Sequence, residues 1–197
     1  MKIQKHRTFF CSMAIISLTT ASIFLFNTVG PFLIQNKMGY SAISFGYMAL
    51  IVGAAYATGA LGSRFFDKSH PAQIIFFNIS MLLIGSITMT LWSWLAPLNL
   101  LSLIIPSCFL AFVCGMIYPA LITLMFRPFP EHTGLVSSCY GLSSYLLSGL
   151  IVWIVGELAI QSVFGFAIVC LLLSLLVLAL GLFLTSSQDV KQFQVQT

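Results

Sequence analysis

The chain has 197 residues, of which 59% are hydrophobic and only 6% charged, and its mean hydropathy is +1.06. A water-soluble domain of this size could not carry that composition without precipitating, so the sequence describes an integral membrane protein. The net charge of +4 is spread over four separate flanks, which argues against a nucleic-acid partner and for basic residues sorted to one face of a bilayer.

A helix needs about 20 apolar residues to cross a hydrocarbon core of about 30 Å, so the length accommodates about six crossings and leaves no room for a soluble domain. Met1 to Arg7 is a basic flank, and the apolar run that follows, about Thr8 to Ile34, is too long for the core of a secretory signal. Span one carries Asn27 and the Gly30-Pro31 pair in its later half. Gln35 to Tyr40 reads as a tight polar turn, and span two runs from about Ser41 to Ser63. In it Ala49, Gly53 and Ala57 recur every four residues, with Ala55 and Gly59 as a second small pair, spacings that let a neighbouring helix approach closely in lipid.

Arg64 to His70 is the most charged loop, and Pro71 opens span three, about Ala72 to Leu95, which ends near Trp92 and Trp94, residues suited to a membrane interface. Ala96 to Asn99 turns the chain into span four, about Leu100 to Phe126, which contains Pro119. A second charged hairpin, Arg127 to Thr133, follows; Pro128 and Pro130 stop the helix, and Thr133 is placed to cap the next. Span five covers about Gly134 to Val155 and span six about Ser162 to Leu184, before a polar tail. The domain division is a flank at 1–7, a six-helix bundle at 8–184 and a tail at 185–197. Lys2, Lys5, Arg7, Arg64, Lys68, Arg127 and Lys191 fall on one side and Lys37 on the other, which places both termini in the cytoplasm.

Cys11, Cys108, Cys114, Cys139 and Cys170 all lie in apolar spans without a CxxC pair and read as small buried hydrophobes. His6, His70 and His132 lie in polar flanks, so neither a metal nor a cofactor is expected. The stretch Gly141-Leu-Ser-Ser144 invites comparison with an intramembrane serine protease. No span holds a histidine base and the motif's last glycine is missing, so an enzyme is not expected.

Spans one to three and four to six look like two copies of one unit. Each leading span has a late proline (Pro31, Pro119), each middle span is rich in small residues, and each closing span is bulky and apolar. Three crossings is an odd number, so the second copy is inverted. Paired proline-interrupted helices in inverted repeats mark secondary transporters, with the solute site where those helices meet. The expected fold is therefore all-α, with six transmembrane helices in two inverted three-helix repeats.

FNTVGPFLIQNKMGYSAISFGYMALIVGAAYATGAL, Phe26 to Leu61, resembles the seventh and eighth helices of the major facilitator superfamily in its bicyclomycin and chloramphenicol resistance branch (Bcr/CflA). YPALITLMFRPFPEHTGLVSSCYGL, Tyr118 to Leu142, resembles that branch's tenth helix, the next loop and the start of the eleventh. The resemblance implies the C-terminal half of a twelve-helix, proton-coupled multidrug efflux antiporter in a bacterial-type inner membrane. It also implies a small organic solute, and an N-terminal six-helix half or a second copy as partner. The family's cytoplasmic loop signature survives here as Asp67 and Lys68, with Ser63 and His70 where glycines stand in the pattern.

Spans one, two, four and five should line a solute pathway and spans three and six face lipid. The candidate contacts are Asn27, Tyr47, Tyr56, Met116, Tyr118, Tyr140, Ser144 and Tyr145, which offer amides, hydroxyls and adaptable apolar surface to an organic solute. Pro31 and Pro119 are expected to bend helices for gating, because each removes a backbone hydrogen bond. No proton carrier is nominated: Glu157, the candidate acid, sits at a helix end where a solvated carboxylate is expected. A truncated, non-transporting remnant or an accessory membrane subunit is the other expectation compatible with the sequence.

Overall fold

A computed structural model describes residues 2–65, 71–95, 99–126, 129, 131, 133–158, 160 and 162–185. Six α-helices follow one another: α1 (Lys2–Pro31), α2 (Ala42–Gly62), α3 (Pro71–Leu95), α4 (Leu100–Phe126), α5 (Thr133–Glu157) and α6 (Val163–Thr185), with no strand among the described residues. Each contains a stretch long and apolar enough to cross a membrane. The all-helical six-span expectation holds, with boundaries shifted by a residue or two at most ends, except that α1 begins at Lys2, six residues before the expected Thr8. Asp67 and Lys68, Pro128 and Pro130, and the tail beyond Thr185 lie outside the described residues.

Two local features differ from the expected pattern. The segment after Pro31, expected to turn from Gln35, stays helical to Lys37 as a wider π-type coil, Phe32–Lys37. Proline has no N–H for the carbonyl four residues earlier, and the widened coil begins directly after it. The coil ends where Met38 N–H donates to Leu33 O (3.1 Å) and Tyr40 N–H to Ile34 O (3.0 Å). Gly39, at φ +75°, supplies the left-handed step that redirects the chain. Ser41 then caps α2, its Oγ accepting from the Ser44 N–H at 3.2 Å. The second difference is at Thr133, which is the first residue of α5 rather than its cap.

α1 and α4 form the centre, and most of the fully buried large side chains lie on them, among them Ile15, Ile16, Leu25, Leu103, Ile117 and Leu121. The other helices arrange themselves around this pair in a way that chain order does not suggest. α2 packs chiefly on α4, and α5 packs on α1, so each middle helix rests on the leading helix of the other triplet. α3 packs on α4 and α6 on α1, while α3 and α6 pack on each other. Exchanging the two triplets maps each of these pairings onto another, as two copies of one unit require.

Each crossing is held by its own chemistry. Where α2 meets α4 the backbones themselves touch: a Cβ added to Gly59 would lie 2.0 Å from Phe112 O, and one added to Gly115 would lie 2.1 Å from Tyr56 O. This is the small-residue packing expected for span two, reached through Gly59. The expected Ala49, Gly53 and Ala57 stripe does not pack this way, since Gly53 and Ala57 are exposed and nothing lies within 4 Å of a Cβ on Gly53.

The α1–α5 crossing is polar, with Ser148 Oγ donating to Ser17 O at 2.8 Å. At α3–α6, Ser86 Oγ donates to Ser174 Oγ at 2.8 Å inside the core. Hydroxyl bonds of this kind draw helices together in a setting where apolar contact alone gives little drive to associate. Cys114 and Cys170 are buried and Cys11 and Cys108 half-buried, as small hydrophobes; Cys139 departs from that expectation by lying exposed on α5.

Candidate functional site

α1 and α4 cross at the centre while α2 and α5 flank them, and the space between the four encloses a cavity of about 290 Å³. Among the described residues α3 and α6 contribute nothing to its wall. On α1 the lining residues are Thr20, Ile23, Phe24 and Asn27, and on α2 they are Ala49, Val52, Gly53 and Tyr56. Both sets follow the spacing i, i+3, i+4, i+7, which is one face of a helix. Tyr118 from α4 and Tyr140, Ser144 and Tyr145 from α5 complete it. Ser144 lies about 17 Å along α5 from Thr133 and about 20 Å from Glu157, close to mid-helix and so to mid-bilayer depth.

The aromatic wall is continuous. Tyr118 is the hub, its ring centroid 6.5 Å from that of Tyr56 and 6.4 Å from that of Tyr140, at interplanar angles of 69° and 63°. These are edge-on arrangements favoured by the ring quadrupoles. The Tyr118 and Tyr140 hydroxyls also hydrogen-bond to each other. A hydroxyl has one hydrogen to donate and two lone pairs, so the member of the pair that accepts keeps its own O–H free for another partner. Across the cavity Phe24 stacks on Tyr145 at 6.2 Å and 17°.

Polar groups in the cavity are sparse and uncharged. Asn27 is exposed, and its Nδ2 donates to Ile23 O at 3.3 Å. Pro31, four residues on, cannot give the Asn27 carbonyl its usual helical partner. Tyr140, Ser144 and Ser148 form an i, i+4, i+8 stripe on α5. The outer two members bond to α4 and α1, whereas Ser144, 4% exposed, has no protein partner for its Oγ. Among the described residues no Asp, Glu, Lys, Arg or His lines the cavity.

Of the eight residues nominated from the sequence, six (Asn27, Tyr56, Tyr118, Tyr140, Ser144 and Tyr145) meet in this cavity. Tyr47 and Met116 do not. Tyr47 is 65% exposed on another part of α2, and Met116 is buried among the core residues of α4. Thr20, Ile23, Phe24, Ala49, Val52 and Gly53 were not anticipated. Stepping back from Asn27 and from Tyr56 by helical intervals would have found them all. Pro31 ends α1 where the widened coil begins, and Pro119 lies within α4, one residue from Tyr118 and four from Gly115. Pro106, a second proline within α4, carried no signal in the repeat comparison. Glu157 is the exposed last residue of α5, and among the described residues no group of His, Cys, Asp and Glu could hold a metal ion.

Six membrane-length helices in two interleaved triplets, enclosing an aromatic and uncharged cavity at mid-depth, define a membrane protein of the transporter class. A family model described as Major Facilitator Superfamily matches residues 1–152, and the chain belongs to that family. Neither the curated proteins nor the solved structures include a match to it.

Proposed function

We propose that the chain is the C-terminal half, helices seven to twelve, of a proton-coupled efflux transporter of small organic solutes, similar to the bicyclomycin and chloramphenicol resistance proteins. The observation that carries this is the cavity of about 290 Å³ at the meeting of α1, α2, α4 and α5. Its size lies at the lower end of small-molecule sites, and its composition, aromatic walls with a few hydroxyls, suits an organic solute.

The cavity is open on one side, where Asn27, Gly53 and Tyr145 are exposed. The flanks of α2 and α5 beside it carry Tyr47, Leu50, Leu142, Leu146 and Trp153, all more than half exposed. A first six-helix half, or a second copy, would close that side, and the first half would supply the acidic or basic group that proton coupling requires, since among the described residues this cavity has no Asp, Glu, Lys, Arg or His. Both termini lie on the cytoplasmic side of a bacterial-type inner membrane, and Asp67 and Lys68 belong to a cytoplasmic loop motif that fixes topology.

The test is efflux of chloramphenicol from cells expressing this chain alone, and from cells co-expressing a six-helix first-half polypeptide. Export only in the second case is the expected result. Export by the chain alone would refute the need for a partner, and no export in either case would leave the remnant or accessory-subunit alternative standing.

A further inference from the structure

Three buried side-chain polar atoms among the described residues have no hydrogen-bond partner: Ser12 Oγ, Asn78 Oδ1 and Ser144 Oγ. Of these residues only Ser144 lines the cavity. Burying a hydroxyl without a partner is costly, and a helical serine ordinarily escapes that cost by bonding back to a carbonyl three or four residues earlier. Ser17, Ser22, Ser80, Ser107 and Ser138 all do so here. Ser144 instead stands between two stripe neighbours that are satisfied by other helices, its own capacity unspent at the wall of an aromatic chamber.

From this we infer that Ser144 is the polar anchor of a subsite for an uncharged, planar aromatic solute bearing one hydrogen-bonding group. The inference rests on the transport proposal and specifies its substrate class. The ring system lies against Tyr56, Tyr118 and Tyr145, and the polar substituent meets the Ser144 hydroxyl once that side chain turns about its Cα–Cβ bond, because its Oγ is shielded from the chamber in this conformation. The free O–H of the Tyr118–Tyr140 pair is a second donor. In the chain by itself a charged solute is disfavoured, because among the described residues no side chain of opposite sign lines the cavity and an unpaired ion in a low-dielectric site is expensive. The volume of about 290 Å³ on this side of the cavity is enough for one or two fused rings.

Four probes of similar shape test this by equilibrium dialysis against the full chain in detergent micelles, with empty micelles as blank: 2-naphthol, naphthalene, 2-naphthoate and N-methylquinolinium. The chain should bind 2-naphthol roughly five-fold more tightly than naphthalene, the worth of one net hydrogen bond, and hold neither ion above the blank. Ser144→Ala should abolish the preference for 2-naphthol, and Ser144→Thr should retain it. Thermal unfolding gives the second readout: Ser144→Ala should melt at the same temperature or higher, since it removes an unsatisfied hydroxyl.

An unchanged preference in Ser144→Ala, binding of either ion as tight as that of 2-naphthol, or a lowered melting temperature would overturn the inference. In each case binding of a probe would leave the cavity standing as a solute site. If none of the four probes binds above the blank, the solute site itself falls, and the transport proposal loses its main support.

Discussion

Adding one methyl group at the α2–α4 crossing should separate two helices. An alanine Cβ at position 115 would sit 2.1 Å from Tyr56 O, where ordinary contact begins at 3.4 Å, so the backbones must part by at least about 1 Å. The obstructing atoms are main chain, and no side-chain rotation can relieve them. Overpacking of this kind costs about 1–3 kcal/mol. It would also move Tyr56 relative to Tyr118, whose rings are 6.5 Å apart, and so disturb the cavity wall as well as the fold.

Gly59→Ala meets Phe112 O at 2.0 Å and should cost a similar amount. The double variant should cost less than the two single losses together, because one separation of the helices accommodates both methyls. Gly46→Ala and Gly149→Ala are the controls: nothing lies within 4 Å of an added Cβ, and replacing a mid-helix glycine should leave stability unchanged or raise it by about 0.5–1 kcal/mol. Denaturant titration of the detergent-solubilised chain, followed by tryptophan fluorescence, measures all five variants. If Gly115→Ala and Gly59→Ala unfold with the wild type, the close approach of α2 and α4 is wrong, and with it the interleaving of the triplets.

Ser86→Ala leaves the Ser174 hydroxyl without its cross-helix donor and should lower stability by about 1 kcal/mol; Ser86→Ala with Ser174→Ala should cost less than the two single losses combined, a coupling that a double-mutant unfolding cycle would detect. Ser148→Ala removes the α5–α1 clasp and should cost about 0.6 kcal/mol in the same titration, with equal stability counting against that bond. Tyr118→Phe and Tyr140→Phe should each weaken 2-naphthol binding, and the double variant should be little worse than either, since the hydroxyls act as one pair. Single cysteines introduced at Phe65 and Phe129 in a cysteine-free background should react with an impermeant maleimide from the same face of the membrane. Labelling from opposite faces would contradict the inverted arrangement.

The six spans were legible in the sequence because lipid imposes a one-dimensional rule: an apolar run of about 20 residues, punctuated by polar hairpins, must cross. The paired prolines Pro31 and Pro119 and the small-residue middle spans suggested the repeat in the same way, and most of the cavity's polar and tyrosine residues could be nominated as scarce hydroxyls and amides within apolar spans. Orientation was not legible. Helices that are apolar on every side have no polar stripe to mark their buried face, so nothing in the sequence distinguished the Ala49 and Gly53 side of α2 from the Gly59 side that meets α4.

Nor could chain order disclose that α2 rests on α4 and α5 on α1, because that depends on which backbones can come within touching distance. Tyr47 and Tyr56 are the same residue type on the same helix, nine positions apart, yet only Tyr56 reaches the cavity. Composition thus determined that the chain spans a bilayer and which side chains were available for chemistry. The meeting of four helices decided which of them share one chamber and left Ser144 Oγ without a partner there.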